Sequence, residues 1–165
     1  MHTTALMSAL VLGLDGAGVA YVAVFAVASA VCLLAVGRAL QIQRADVRHG
    51  LVGILLTTGL WAALKVAYFL LPAPLSRGAY ILGLVFGFAT VWAWLYFCSA
   101  YSGRGYHRQP RVRQVGGAVF GGVVAVKLTN PVHGLYFTTS QATTPFEYLA
   151  IEHGVVAWLV VKYRP

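Results

Sequence analysis

Acid is scarce in this sequence: four Asp and Glu stand against twelve Lys and Arg in 165 residues, and charged side chains make up only 10% of the chain. Soluble domains carry about a quarter charged residues, so this composition lies outside the soluble globular class. Cysteine is scarcer still. Cys32 and Cys98 both fall inside apolar runs, where a free thiol behaves as a small hydrophobe, and no Cys-x-x-Cys occurs. Neither an oxidising compartment nor a metal site is implied.

Catalytic signatures are missing too. There is no His-Glu-x-x-His, no Gly-x-Ser-x-Gly and no Gly-x-x-x-x-Gly-Lys-Ser/Thr, and Gly103-x-Gly105 alone is too short to specify a nucleotide site. Histidines 2, 49, 107, 133 and 153 form no metal-ligand spacing. The expectation is a protein without enzyme activity, metal or cofactor. The first twenty residues lack the Lys or Arg of a secretory n-region, which argues against a cleaved signal peptide, although Thr4 to Leu14 is fairly apolar.

What the chain does have is apolar length. Hydrophobic residues make up 59% of it and the mean hydropathy is +0.76. Whole stretches are apolar on every side, with polar residues collected between them, so the solvent for these segments is lipid. The net charge of +8 is divided among the connecting segments rather than gathered on one basic face. Arg111 and Arg113 near Tyr106 read as a membrane-surface loop, and no nucleic-acid partner is expected.

The fold class expected is an all-α, polytopic membrane helical bundle of about five transmembrane helices, with an N-terminal extracytoplasmic segment (1–17) ahead of a transmembrane domain (18–165). Spans are placed at 18–40, 51–71, 79–101, 112–129 and 145–161, with a polar loop at 41–50. Pro72-Ala73-Pro74 ends the second span, because proline cannot continue a helix and restricts the residue before it. Ser102-Gly103-Arg104-Gly105 closes the third and Asn130-Pro131 the fourth. Residues 132–143, with Tyr136 and Phe137, read as an interfacial loop. Thr144-Pro145-Phe146-Glu147 has the N-cap, N1 and N3 chemistry of a helix start, which opens the fifth span.

Arg38, Arg44 and Arg48 flank the first loop, and Arg104, Arg108, Arg111 and Arg113 fill the third. By the positive-inside rule these loops are cytoplasmic, the N-terminus is outside and the C-terminus, after five spans, is cytoplasmic.

A charge deep in a bilayer costs about 2.5–3.5 kcal/mol on insertion scales, so Lys65 and Lys127 each require a partner or a route to the interface. Snorkelling is one reading. The other joins Lys65, Lys127, Asn130, His133, Glu147, Glu152 and His153 in one outward-facing ligand-binding pocket, with cations and carboxylates pairing. Gly83 and Gly87, and likewise Gly117 and Gly121, stand four apart and point to close internal helix packing. The aromatic series Trp92, Trp94, Tyr96, Phe97 and Tyr101 reads as packing and interfacial anchoring.

From the third span onward the chain resembles the seven-helix N-terminal sensor region of prokaryotic, particularly haloarchaeal, membrane histidine kinases. The matching residues are the aromatic helix ending Tyr101-Ser102-Gly103-Arg104, the basic loop after it, Thr129-Asn130-Pro131-Val132-His133-Gly134-Leu135, Thr144-Pro145-Phe146-Glu147-Tyr148 and His153-Gly154. The resemblance implies a membrane input module that perceives a signal and passes it to cytoplasmic kinase domains. Its expected partners are the lipid bilayer and a cytoplasmic signalling protein or kinase. Against that family plan the expectation for this chain is five spans, without a sixth or seventh helix and without a kinase or phospho-acceptor segment. Two further readings remain open: a small transporter or channel subunit with Lys65, Lys127 and Glu152 along its pathway, and a non-functional truncated membrane remnant.

Overall fold

The computed structural model describes residues 16–133, 137–142 and 148–153, the last two segments by their backbone. Four long helices follow one another: α1 (Gly16–Ala39), α2 (Ala45–Leu70), α3 (Ala73–Tyr101) and α4 (Pro110–His133), with a single 3-10 turn at Tyr106–Arg108 between the last two. Two strands come after them, β1 (Phe137–Ala142) and β2 (Tyr148–His153). Helices α1, α2 and α3 are each long and apolar enough to cross a membrane. Their outer surfaces carry exposed aliphatic side chains such as Val24, Leu34 and Val91, which in water would be a continuous liability and in lipid costs nothing.

Without a hydrophobic driving force between helices in lipid, contact depends on how closely backbones can approach. Glycine supplies that approach here. A Cβ on Gly50 of α2 would stand 2.7 Å from the Phe97 Cα of α3, and one on Gly87 of α3 would stand 3.2 Å from the Trp61 ring of α2. Gly53 meets Ala93 and Gly83 meets Leu64 along the same antiparallel seam. On the other side of α2, a Cβ on Gly59 would lie 3.1 Å from Leu33 of α1, and the Ser29 hydroxyl donates to the Gly59 carbonyl at 2.9 Å. Phe25 and Trp61 meet edge to face at 5.6 Å in the same interface. Helix α4 is attached more sparsely, by Phe120 stacked on Phe88 at 5.5 Å and by Gly116 seated under the Trp92 ring.

The turns are short. Leu71 and Pro72 are all that separates α2 from α3, with Pro72 as N-cap of α3, Pro74 in its first turn, and the Ser76 hydroxyl donating to the Tyr68 carbonyl at 2.8 Å. Between α3 and the 3-10 turn, Gly103 (φ 70°) and Gly105 (φ 67°) adopt the left-handed conformation that side-chain-bearing residues resist, and this lets the chain double back.

Two boundaries and one packing expectation differ from the sequence reading. Residues 45–50, expected in the polar loop, form the first turns of α2, because a helix backbone runs on past the apolar stretch that hydropathy detects. Asn130-Pro131 does not stop α4, which runs to His133; a proline in the last turn removes only the bond its own N–H would make. Gly117 and Gly121 have nothing within 4 Å of a would-be Cβ, so the α4 contact runs through Gly116 instead.

The largest difference concerns the span placed at 145–161. Residues Tyr148–His153 are extended and pair antiparallel with Phe137–Ala142, in register from Phe137 opposite His153 to Ala142 opposite Tyr148. Among the described residues the count is therefore four helices and a strand pair; helix is corrected to strand over Tyr148–His153, and the rest of the span placed at 145–161 lies outside the described residues. The strand segments hold Thr138, Thr139 and Ile151 with Phe137 and Tyr148, the β-branched and aromatic types that favour extended backbone. A capping signature contributes about 1 kcal/mol and a proline serves a turn as readily as a helix start, so it cannot outweigh six paired residues. Among the described residues the pair has two open edges, and open strand edges are not tolerated against lipid tails.

Candidate functional site

Three of the residues singled out as a ligand cluster have described side chains. Lys65 leaves α2 half-buried, its Nζ 5.4 Å from the centre of the Tyr80 ring on α3. Lys127 on α4 is 7% exposed; its Nζ donates to the Leu84 carbonyl of α3 at 3.4 Å and stands 5.5 Å from the Phe88 ring centre. Asn130, three residues on and thus on the same face of α4, is 1% exposed. The structure brings both lysines to one stretch of α3, where Tyr80, Leu84 and Phe88 follow at one-turn intervals. Lys127 is enclosed between α3 and α4, and snorkelling does not describe it. Each cation takes a ring face, and Lys127 a carbonyl as well, which answers much of the cost of burying it.

The rest of the cluster is placed only by backbone or not at all. His133 ends α4, and Glu152 and His153 lie in β2, opposite Thr138 and Phe137; β2 itself lies against α3. Glu147 is outside the described residues.

A second constellation, at the basic end of the bundle, was not legible beforehand. Asp46, in the first turn of α2, accepts from Arg108 Nη2 and stands 3.8 Å from His107 Nε2, both in the 3-10 turn. Ser99 of α3 holds the other edge of that histidine: its Oγ lies 3.0 Å from Nδ1 and accepts the His107 backbone N–H at 3.0 Å. With the ring proton on Nε2, Ser99 donates to Nδ1 and the N–H faces the Asp46 carboxylate. Tyr96 covers the ring at 4.6 Å, and Arg44 donates to the Ala100 carbonyl at 3.3 Å. This clasp draws the α1–α2 and α3–α4 connections to one end of the molecule. Its one available signal in the sequence was the isolation of Asp46, the sole acid between residues 16 and 133.

Ser99 carries the clasp from inside. Replacing it with alanine strands both Nδ1 and the His107 amide, an expected cost of about 1–3 kcal/mol for buried polar groups, read as a lowered denaturation midpoint. Amide exchange should quicken at residues 104–109 while the α1–α2 seam keeps its protection. Uniform loss of protection would mean that Ser99 serves the whole bundle rather than this turn.

A crevice of about 860 Å³ opens beside the clasp between α3 and α4, walled by Trp92, Leu95 and Phe120 and reaching Arg104 and Arg113 at its mouth.

Apolar helices joined by short turns, with basic connections drawn to one end and an enclosed cation between two helices, define a multi-pass membrane protein. A family model described as the N-terminal 7TM region of histidine kinase matches residues 20–164, and the chain belongs to that family. The match is to the membrane region of such kinases, not to a catalytic domain. No curated protein and no solved structure matches the chain significantly. The resemblance drawn from Tyr101-Ser102-Gly103-Arg104 and Thr129-Asn130-Pro131 is borne out at the level of the family.

Proposed function

We propose that this chain is a membrane-embedded input module that perceives a stimulus and passes it to a cytoplasmic histidine kinase. The observation that carries the reading is the family match across residues 20–164. The loops bearing Arg38, Arg44 and Arg48, and Arg104 to Arg113, are taken as cytoplasmic and the N-terminus as outside, on the positive-inside rule. Helix α4, 24 residues and about 36 Å long at 1.5 Å per residue, serves as a fourth crossing.

The stimulus pocket in this reading is formed by Lys65, Lys127, Asn130, His133, Glu147, Glu152 and His153. Supporting it are the enclosure of Lys127 and Asn130 on one face of α4 and the position of β2 beside α3. The clasp of Asp46 with Arg108 then lies at the output end, where a shift of α3 against α2 reaches the kinase side.

The test joins the chain to a histidine kinase core in proteoliposomes and follows autophosphorylation. Lys127→Met and Glu152→Gln are expected to leave the protein folded and to change kinase output several-fold. Output indifferent to both substitutions and to removal of α1–α4 would sink the reading, and ion or solute flux through the same vesicles would favour a transporter.

A further inference from the structure

We propose that the crevice between α3 and α4 at the basic end binds an anionic amphiphile, an acyl chain bearing a carboxylate or phosphate head. The inference goes beyond the sensing role and does not rest on it, since it concerns the end of α3 away from Lys127.

The crevice exists because α4 touches α3 sparsely. Phe120 stacks on Phe88 and Trp92 lies against Gly116, while Gly117 next to it offers no side chain to close the gap. From Ala89 of α3 to Ser102 at its C-cap the lining covers 13 residue steps, about 20 Å at 1.5 Å per step. The volume, about 860 Å³, falls in the range of ligand sites and far exceeds a packing defect. Its wall is apolar and aromatic along most of that length.

The mouth is different. Arg104 and Arg113 both reach it and both are exposed. Asp46, the sole acid between residues 16 and 133, is engaged by Arg108, so neither guanidinium faces a carboxylate among the described residues. A purely apolar occupant would leave the two cations unused, and a small anion would leave the aromatic wall uncovered. One molecule with an apolar body and an anionic head meets both, and basic pockets between helices at a membrane surface are suited to such head groups. Trp92 Nε1, buried and without a hydrogen-bond partner, adds a donor on a residue of the same wall.

Full-length protein in phosphatidylcholine nanodiscs, photolabelled with a diazirine-bearing palmitate and analysed by peptide mass spectrometry, tests the site. Saturable labelling is expected in the peptides spanning 89–102 and 112–120, displaced by oleate and at least tenfold less by its methyl ester. The double variant Arg104→Gln/Arg113→Gln should weaken labelling about tenfold, equivalent to about 1.4 kcal/mol. Gly117→Leu, placed where a Cβ meets nothing within 4 Å, should fill the crevice and weaken labelling as strongly while the melting temperature holds. Should that variant misfold, the two exposed arginines still decide the matter. Displacement by dioleoylphosphatidylglycerol as well as oleate makes a bilayer lipid the source, and displacement by oleate alone a free fatty acid. Non-saturable labelling spread over all lipid-facing helices, or equal competition by oleate and methyl oleate, overturns the proposal.

Discussion

Leucine in place of Gly50 is expected to separate α2 from α3 and to destabilise the bundle more than any other single substitution along this seam. The first atom added already stands 2.7 Å from the Phe97 Cα and 3.1 Å from its backbone nitrogen. A side chain could swing away from such a contact, but a helix backbone cannot, so α3 must move as a body. Overpacking of this kind costs about 1–3 kcal/mol where neighbours can adjust, and leucine at Gly50 should lie at or above the top of that range. Movement there also pulls at Arg44 on the Ala100 carbonyl and at Asp46 on Arg108, so the clasp should loosen with the seam. The measurement is a thermal or SDS-induced unfolding midpoint for the purified protein. Gly37→Ala on α1 is the control: nothing lies within 4 Å of its would-be Cβ, and the exchange should be neutral or stabilise by up to about 1 kcal/mol through helix propensity. Equal tolerance at both positions would mean that α2 and α3 do not meet where Gly50 and Phe97 place them.

Much of this architecture could be read from residues, and the parts that could not share a cause. Spans one to three stand out because apolar runs of more than twenty residues have no other home than lipid, and Pro72-Ala73-Pro74 marks a turn by covalent geometry alone. Gly83 and Gly87 were readable as a packing face because small residues one turn apart permit close approach whatever the partner. Gly50, whose would-be Cβ meets helix backbone at 2.7 Å, was not, since its importance comes from Phe97, 47 positions away. The same holds for the clasp. Ser99 and His107 are unremarkable in sequence, and they meet the isolated Asp46 only once α2 and α3 are laid antiparallel. The segment from Thr144 to His153 failed in the opposite sense: a strong local helix signature sat beside residues whose pairing with Phe137–Ala142 is decided at a distance. Within the candidate cluster, Lys65 and Lys127 announced themselves by the cost of a charge in lipid, but how that cost is met depended on Tyr80, Leu84 and Phe88 of a different helix.

Lys127 provides the second large effect, through a comparison of two replacements. Lys127→Glu keeps a charge at a site 7% exposed but reverses its sign against the Leu84 carbonyl and the Phe88 ring. The Leu84 carbonyl, which accepts from Nζ, becomes a repulsive neighbour, and the negative face of the Phe88 ring likewise opposes a carboxylate. Leaving an uncompensated buried charge costs about 3–5 kcal/mol, and insertion of an acid at membrane depth is itself unfavourable by about 2.5–3.5 kcal/mol. The expected outcome is failed insertion or an α4 detached from α3, read as protease access to the 3-10 turn and as lost protection in α4. Lys127→Met removes the charge and keeps most of the length and flexibility of the side chain, which suits the apolar surroundings of Leu84 and Phe88. Its stability should stay within about 1 kcal/mol of the wild type or rise, as when buried ions give way to apolar residues. Methionine thus separates structure from function at one position. If the fold needed the cation, both variants would fall together. If methionine holds the bundle while stimulus response disappears, the charge is retained for the ligand, and Asn130 one turn further on is the next residue to exchange.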